Sequence, residues 1–160
     1  MSLFLRNLVF TVLVPGTVAG YLPYAIGSGG GRLPLDAARL LVAAPLFLLG
    51  AAVYFWCLWN FAVAGRGTPA PIDPPTRLVV RGLYRRIRNP MYVGVLTVVA
   101  GWAVYFRSVP LVEYGVALAV LFHMFVVFVE EPLLRRRFGE AYEEYTRSVG
   151  RWLPGSRNRR

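Results

Sequence analysis

Residues 91–129, MYVGVLTVVAGWAVYFRSVPLVEYGVALAVLFHMFVVFV, contain two apolar runs that are separated only by Arg107-Ser108. Each run approaches or reaches the roughly 20 apolar residues that a helix needs to cross the hydrocarbon core of a bilayer. The turn between the runs is so short that the two helices must be antiparallel neighbours. We therefore predict a helical hairpin that crosses the membrane twice, with Glu113 as its only acidic residue.

Two further apolar runs precede this hairpin along the chain. Residues 8–26 and residues 40–64 contain no charged side chain, and 56% of the 160 residues are hydrophobic. This composition excludes an ordinary soluble domain. We predict an all-α polytopic membrane protein, a single domain over residues 1–160 with about four transmembrane helices at 8–26, 40–64, 90–106 and 109–129. Because the first run is longer than a usual signal-peptide core and contains two prolines, we expect it to be a span rather than a cleaved leader.

Arginine is concentrated in two segments on either side of the hairpin. The connector, residues 65–89, contains six arginines and four prolines, and the tail, residues 130–160, contains eight arginines. The loops at the opposite ends of the spans hold only three arginines, Arg32, Arg39 and Arg107. Since cytoplasmic loops carry the excess of basic residues, the connector, the tail and the N-terminus are predicted to face the cytoplasm, across an inner or plasma membrane.

The tail and the net charge both point to a membrane surface. Tyr142, Tyr145 and Val149 recur at helical spacing, which predicts a cytoplasmic C-terminal amphipathic helix. The net charge is +10, and the arginines that produce it stand between the apolar runs. Arginines at such positions bind anionic lipid headgroups, so no nucleic-acid partner is expected. Cys57 is the single cysteine, and no cluster of metal-ligating residues is present in the sequence, so neither an intrachain disulfide nor a metal site is expected.

Asn89 and Pro90 mark the start of the third span. Asparagine is favoured at the N-cap of a helix and proline at its first position, so a helix is predicted to begin at Pro90. The free amides and the positive dipole end of that helix attract a carboxylate or a phosphate. The alternative is structural: the nearby arginines anchor lipid headgroups and Asn89-Pro90 only starts the helix.

Glu130 and Glu131 mark the end of the fourth span. Negative charge is disfavoured at a helix C-terminus and at the bilayer interface, so these carboxylates require a partner. The arginines at 135–137, one turn onward, are one possibility, and a cationic or polyhydroxyl ligand is the other. Because the spans of the hairpin are antiparallel, we expect Pro90 and Glu131 to lie at the same depth. An anion-binding helix start would then face a pair of carboxylates.

Several short motifs together resemble one protein family. Arg88-Asn89-Pro90-Met91-Tyr92-Val93-Gly94 is followed by Glu130-Glu131 and then by Phe138-Gly139, Tyr142, Tyr145, Arg151 and Pro154. This order and spacing is similar to the integral-membrane methyltransferases that include isoprenylcysteine carboxyl methyltransferase and phospholipid N-methyltransferase. The resemblance, which runs from Gly67 onward, implies S-adenosylmethionine-dependent methyl transfer to a lipophilic or membrane-embedded acceptor, with a phospholipid amine favoured. The alternatives are carboxyl methylation of an isoprenylcysteine-like substrate and a non-catalytic lipid-binding or scaffold protein of the membrane.

The resemblance also implies a set of cofactor-binding residues. The positions that would bind S-adenosylmethionine are Leu78, Val79, Tyr84, Asn89, Pro90, Met91, Tyr92 and Glu131. Two positions depart from the family pattern. Asn89 stands where a histidine is usual, which removes a titratable group. Val127 stands where the isoprenylcysteine enzymes tend to carry an arginine, which disfavours a prenylcysteine substrate.

Three residues are candidates for the catalytic step. Arg88 would hold a lipid phosphate, and Glu130 or His123 would accept a proton from an amine nucleophile. His123 is the only histidine and lies seven residues before Glu130, which predicts nearly the same helix face. The alternative for His123 is a buried, hydrogen-bonded histidine without a catalytic role. The expected partners are the membrane and a lipid or lipophilic small molecule, and the sequence does not fix the oligomeric state.

Overall fold

The computed structural model describes residues 3–31, 36–65 and 78–154. Residues 66–77 of the predicted connector and residues 155–160 of the predicted tail lie outside the described residues. The α-helices are α1 Leu3–Leu13, α2 Leu22–Ser28, α3 Ala37–Asn60, α4 Pro90–Phe106, α5 Val109–Phe125, α6 Glu131–Phe138 and α7 Glu140–Ser148. Three π-helical segments extend or join them, Gly16–Tyr21, Phe61–Gly65 and Val126–Glu130, and Gly82–Arg85 forms a 3₁₀ turn. No strand occurs within the described ranges, so the all-α prediction is confirmed.

Three helical stretches are long and apolar enough to cross a membrane, namely Leu8–Ser28, Ala37–Val63 and Val109–Phe138. They match the first, second and fourth predicted spans. The predicted third span is α4, an apolar helix of 17 residues, slightly shorter than the roughly 20 residues that span a bilayer without help from its flanks. Four spans, and a tail helix that lies on the membrane surface, therefore stay predictions.

Helices α3 and α4 pack against each other along most of their length. Within this contact two glycines face each other. A Cβ atom on Gly50 would lie 2.7 Å from the carbonyl oxygen of Gly94, and a Cβ atom on Gly94 would lie 2.9 Å from the carbonyl oxygen of Gly50. Small residues that allow backbones to approach this closely are a main source of helix association in lipid.

Substitution of either glycine is expected to weaken this helix pair. In Gly94→Ala the added methyl group also meets Tyr54 N at 3.1 Å, so the helices must separate, at a cost of about 1–3 kcal/mol. Thermal unfolding of the purified protein in detergent measures the loss. Gly20→Ala is the control, because no atom lies within 4 Å of the position of its Cβ. Equal losses in Gly94→Ala and Gly20→Ala would contradict the close contact.

The helix of the first span is attached to the bundle through its own backbone carbonyls. Pro23 has no N–H to donate to Ala19, four residues earlier, and the indole Nε1 of Trp102 donates to that oxygen instead, at 2.9 Å. The adjacent carbonyl of Val18 lies in the π turn and accepts the hydroxyl of Tyr114 at 2.7 Å. The π turn and the proline therefore supply acceptors that fix the first span to α4 and α5.

The described end of the connector and the tail meet at one end of the helix bundle. The hydroxyl of Tyr145 donates to the carbonyl oxygen of Tyr84 at 2.6 Å, and the amide of Arg88 donates to Gly150 O at 2.9 Å. Burial raises the pKa of Tyr145, so this phenol stays protonated and able to donate. The two arginine-rich segments predicted to share a membrane face are thus in direct contact.

Candidate functional site

The start of α4 lies beside the tail. The helix begins at Pro90 as predicted, and Asn89 occupies its N-cap position, but the Asn89 side chain accepts no hydrogen bond from the first helical turn. Instead, the buried Asn89 amide group donates through Nδ2 to the carbonyl oxygen of Arg151 at 3.2 Å. The prediction that the Asn89 side chain caps the helix is therefore wrong. The side chain instead joins the start of α4 to the tail.

Glu131 is the centre of a buried ion-pair cluster. Its side chain is 4% exposed. Arg151 donates from Nε to Oε1 at 2.6 Å and from Nη2 to Oε2 at 3.1 Å. Arg88 approaches Oε1 through Nη1 at 3.2 Å, and Arg135 lies 3.7 Å from Oε2. The hydrogen bond to Glu131 raises the pKa of Arg151. The sequence suggested the arginines of the next turn as partners, and Arg135 is one of them, but the closest contacts come from segments far along the chain.

The cluster carries an excess of positive charge. Three guanidinium groups face the Glu131 carboxylate, and only Arg135 has a second acidic partner, Glu143 at 2.8 Å. Arg88 is the most deeply buried of the three, with its side chain 11% exposed. The Nε atom of Arg88 is buried and has no hydrogen-bond acceptor among the described residues. A buried charged donor without a protein acceptor is costly in a native protein, and an ordered water or a bound ion is a common partner for one.

Glu130 points to a different neighbour from Glu131. Its Oε2 accepts the hydroxyl of Tyr92 at 2.9 Å, so the start of α4 also contacts the preceding carboxylate. The π turn Val126–Glu130 brings the chain into α6, with the amide of Glu131 donating to Val126 O. Such π turns alter the direction of successive side chains and recur at functional sites. The carboxylate of Glu130 therefore contacts Tyr92, whereas that of Glu131 contacts the arginines.

A cavity of about 560 Å³ adjoins Glu130 and Arg88. Its polar end is formed by Arg88, Glu130 and three tyrosines, Tyr84, Tyr92 and Tyr145. Its other walls are apolar and include residues of the first span, α5 and α6, namely Phe10, Val14, Leu118, Leu121, Phe122, Phe125, Leu133, Leu134 and Phe138. Leu118 precedes Glu130 by twelve residues, so the apolar part extends about 18 Å along the helix from the polar end.

The predicted site residues divide into those on the cavity wall and those behind it. Leu78, Val79, Tyr84, Arg88, Tyr92 and Glu130 line the cavity. Asn89, Pro90, Met91 and Glu131 are not part of the wall. Met91 instead packs against the core residues Val79, Tyr84 and Cys57, while Asn89 and Glu131 contact Arg151. The structure therefore brings both groups of residues to one end of the bundle but gives them different surroundings.

His123 lies apart from the cavity. Its ring is exposed rather than buried, and its Nδ1 accepts a hydrogen bond from the indole Nε1 of Trp152 at 3.1 Å. The wall residue next to it is Phe122. The contributions of Arg151 and Trp152 were not predicted from the sequence: the only signal for Arg151 was its place in the short motif of the tail, and Trp152 is not part of that motif.

Comparison with known proteins indicates the family to which this chain belongs. No curated protein and no solved structure gave a significant match. A family model described as phospholipid methyltransferase matches residues 38–141, more than half of the chain. The matched range contains the cavity-lining residues of the connector, the start of α4 and both glutamates, and it ends before Gly150 and Arg151. The family predicted from the motifs is confirmed: the chain belongs to the phospholipid methyltransferase family.

Proposed function

We propose that this protein transfers a methyl group from S-adenosylmethionine to the amine of a membrane phospholipid. The observation that carries the proposal is the cavity, in which a charged end formed by Arg88 and Glu130 continues into a long apolar volume. Its volume lies within the roughly 300–1,000 Å³ that is usual for small-molecule sites. The site lies at the arginine-rich end of the bundle, which the distribution of arginines assigns to the cytoplasmic side.

The polar end has the groups that S-adenosylmethionine requires. Arg88, with its unpaired Nε and the surplus positive charge behind it, suits the carboxylate of the amino-acid moiety. Glu130 suits the ammonium group or the ribose hydroxyls, and the rings of Tyr84 and Tyr92 offer faces for the adenine. When bound, the donor supplies an electrophilic methyl group on a cationic sulfur. Asn89, Pro90, Met91 and Glu131 would then support the site from behind its wall.

The apolar part suits the acyl chain of a lipid acceptor. Val14, Leu121 and Val129 line the cavity and are also exposed on helices long enough to span a bilayer. A lipid can therefore enter sideways from the membrane, between the first and the fourth spans, with its headgroup at the polar end. Such an arrangement holds donor and acceptor together without exposing them to water.

Glu130 is the proposed proton acceptor. An amine nucleophile loses a proton when it is methylated, and the carboxylate of Glu130 is the acidic group on the cavity wall. Because Arg88 is assigned here to the carboxylate of the donor, the exposed Arg85, three residues earlier, would hold the phosphate of the headgroup. His123 is the second candidate base, although its Nδ1 is engaged by Trp152.

Two other functions differ from the proposed one in the groups that they require. The apolar wall would also accept the prenyl chain of an isoprenylcysteine-like substrate, whose carboxylate needs no base. A non-catalytic lipid-binding protein would keep the apolar cavity and have no need for the charged end. Incubation with a labelled methyl donor and vesicles of phosphatidylethanolamine or phosphatidylglycerol tests the amine, because only the former offers one.

Titration of the purified protein with S-adenosylhomocysteine tests the donor site. We expect binding in the micromolar range, and a loss of at least about tenfold in Arg88→Ala, because a charge-assisted hydrogen bond contributes about 1.5–3 kcal/mol. Arg86→Ala is the control, since Arg86 is exposed, lies two residues from Arg88 and does not line the cavity. Absence of binding to the unmodified protein would refute the proposed function.

A further inference from the structure

A short segment of the tail, residues 149–153, lies across the start of α4, and we refer to it as the strap. Its backbone forms a parallel bridge between Gly150 and Ile87 and accepts the amide of Arg88. Its side chains reach the last turns of the second helix of the hairpin and its continuation, where Arg151 contacts Glu131 and Trp152 contacts His123. The strap follows the range that the family model matches. It joins the two helix ends that form the site.

Arg151 occupies both oxygens of the Glu131 carboxylate. Its Nε and Nη2 form the paired contact that is the strongest arrangement of guanidinium and carboxylate. Arg88 reaches the same carboxylate through Nη1 alone, at 3.2 Å, and this nitrogen also lies 3.4 Å from the hydroxyl of Tyr142. Arg151 thus prevents Arg88 from forming a paired contact of its own with Glu131.

Arg88 is left with unused binding capacity. It lines the cavity, and its buried Nε has no acceptor among the residues that the structure describes. If Glu131 were free of Arg151, Arg88 would satisfy its donors by turning toward both carboxylate oxygens and away from the cavity. The charge that a ligand needs would then be neutralised inside the protein.

We propose that Arg151 is a positioning residue, which holds Glu131 so that the guanidinium of Arg88 stays available to an anionic group of the ligand. This inference rests on the proposed function, since the anionic group is the carboxylate of the methyl donor. Arg151 itself is not among the residues that line the cavity. The carbonyl oxygen of Arg151, which accepts from Asn89, is retained in any side-chain variant, so substitution isolates the role of the guanidinium.

The test compares Arg151→Ala and Arg151→Lys with Arg147→Ala, an exposed arginine of the same tail. Isothermal titration with S-adenosylhomocysteine gives the donor affinity, and initial rates give separate KM values for the donor and the lipid acceptor. Arg151→Ala is expected to weaken donor binding about tenfold and to leave the KM of the acceptor unchanged. Arg151→Lys should recover part of the affinity, because an ammonium group neutralises Glu131 without the paired geometry.

A double variant tests the route of the effect. If Arg151 acts through Arg88, then Arg88→Ala with Arg151→Ala should bind the donor no more weakly than Arg88→Ala alone. Multiplied losses, an equal rise in both KM values, or an Arg151→Ala affinity equal to that of Arg147→Ala would each overturn the proposal.

A ligand-free measurement separates this inference from the proposed function. The Nε–H signal of Arg88 in NMR spectra, assigned by its loss in Arg88→Ala, is expected to shift in Arg151→Ala and to stay in place in Arg147→Ala. An unmoved signal would refute the positioning role whether or not the unmodified protein binds S-adenosylhomocysteine. A shifted signal in a protein that binds no donor would refute the methyltransferase proposal alone.

Discussion

Glu131→Ala is expected to lower the free energy of unfolding by about 3–5 kcal/mol, because removal of one partner of a buried ion pair leaves the remaining charges uncompensated. Here three arginines converge on one carboxylate that is 4% exposed, so their mutual repulsion adds to the loss. The same variant should abolish donor binding, since Arg88 and Arg151 no longer share a fixed acceptor. Thermal unfolding in detergent and titration with S-adenosylhomocysteine measure the two effects.

Glu143→Ala is the matched control for this prediction. Glu143 pairs with Arg135 at 2.8 Å, but both side chains are close to half exposed, and exposed ion pairs contribute at most about 1 kcal/mol. A loss in Glu143→Ala as large as that in Glu131→Ala would show that ion pairs of the tail contribute to stability irrespective of burial.

Glu130→Gln is expected to lower kcat for methylation of a phospholipid amine by about 10²–10⁴-fold, the usual contribution of a general base. The amide oxygen of glutamine can still accept the hydroxyl of Tyr92, so the helix contact is retained while the ability to take a proton is lost. Rates at saturating donor and lipid measure the effect, and Glu144→Gln, at an exposed position of α7, is the control.

The outcome of Glu130→Gln also distinguishes between bases and between substrates. An unchanged kcat in Glu130→Gln together with a large loss of kcat in His123→Ala would identify His123 as the proton acceptor. An unchanged rate in both variants would contradict an amine nucleophile and favour a carboxylate, which has no proton to lose at neutral pH.

The sequence was sufficient for the all-helical fold, for three apolar helices long enough to cross a membrane and for the meeting of the two ends of the hairpin. Charge-free runs predicted these three helices, and Asn89-Pro90 predicted the start of α4, because these signals are local in the chain. The partners of Glu131 could not be predicted in full. Arg151 follows Glu131 by twenty residues, and only the packing of the tail against the connector decides which arginine reaches the carboxylate.

His123 shows a second limit of reasoning from spacing. Seven residues before Glu130 correspond to nearly the same face of a regular α-helix. The π turn Val126–Glu130 lies between the two residues and changes this register, so Glu130 lines the cavity while His123 contacts Trp152. The cavity itself arises from the packing of segments that extend from Phe10 to Tyr145 along the chain, and it has no signature in any one of them.

The glycine contact between α3 and α4 bears on how a lipid reaches the cavity. Two helices whose backbones approach as closely as at Gly50 and Gly94 are expected to move together, because their separation would break a long, closely packed contact. The first span has a looser attachment, with side-chain hydrogen bonds to Tyr54, Trp102 and Tyr114 and a π turn at its middle. Any widening of the lateral entrance is therefore expected to come from a tilt of the first span, while the charged end of the site keeps its shape.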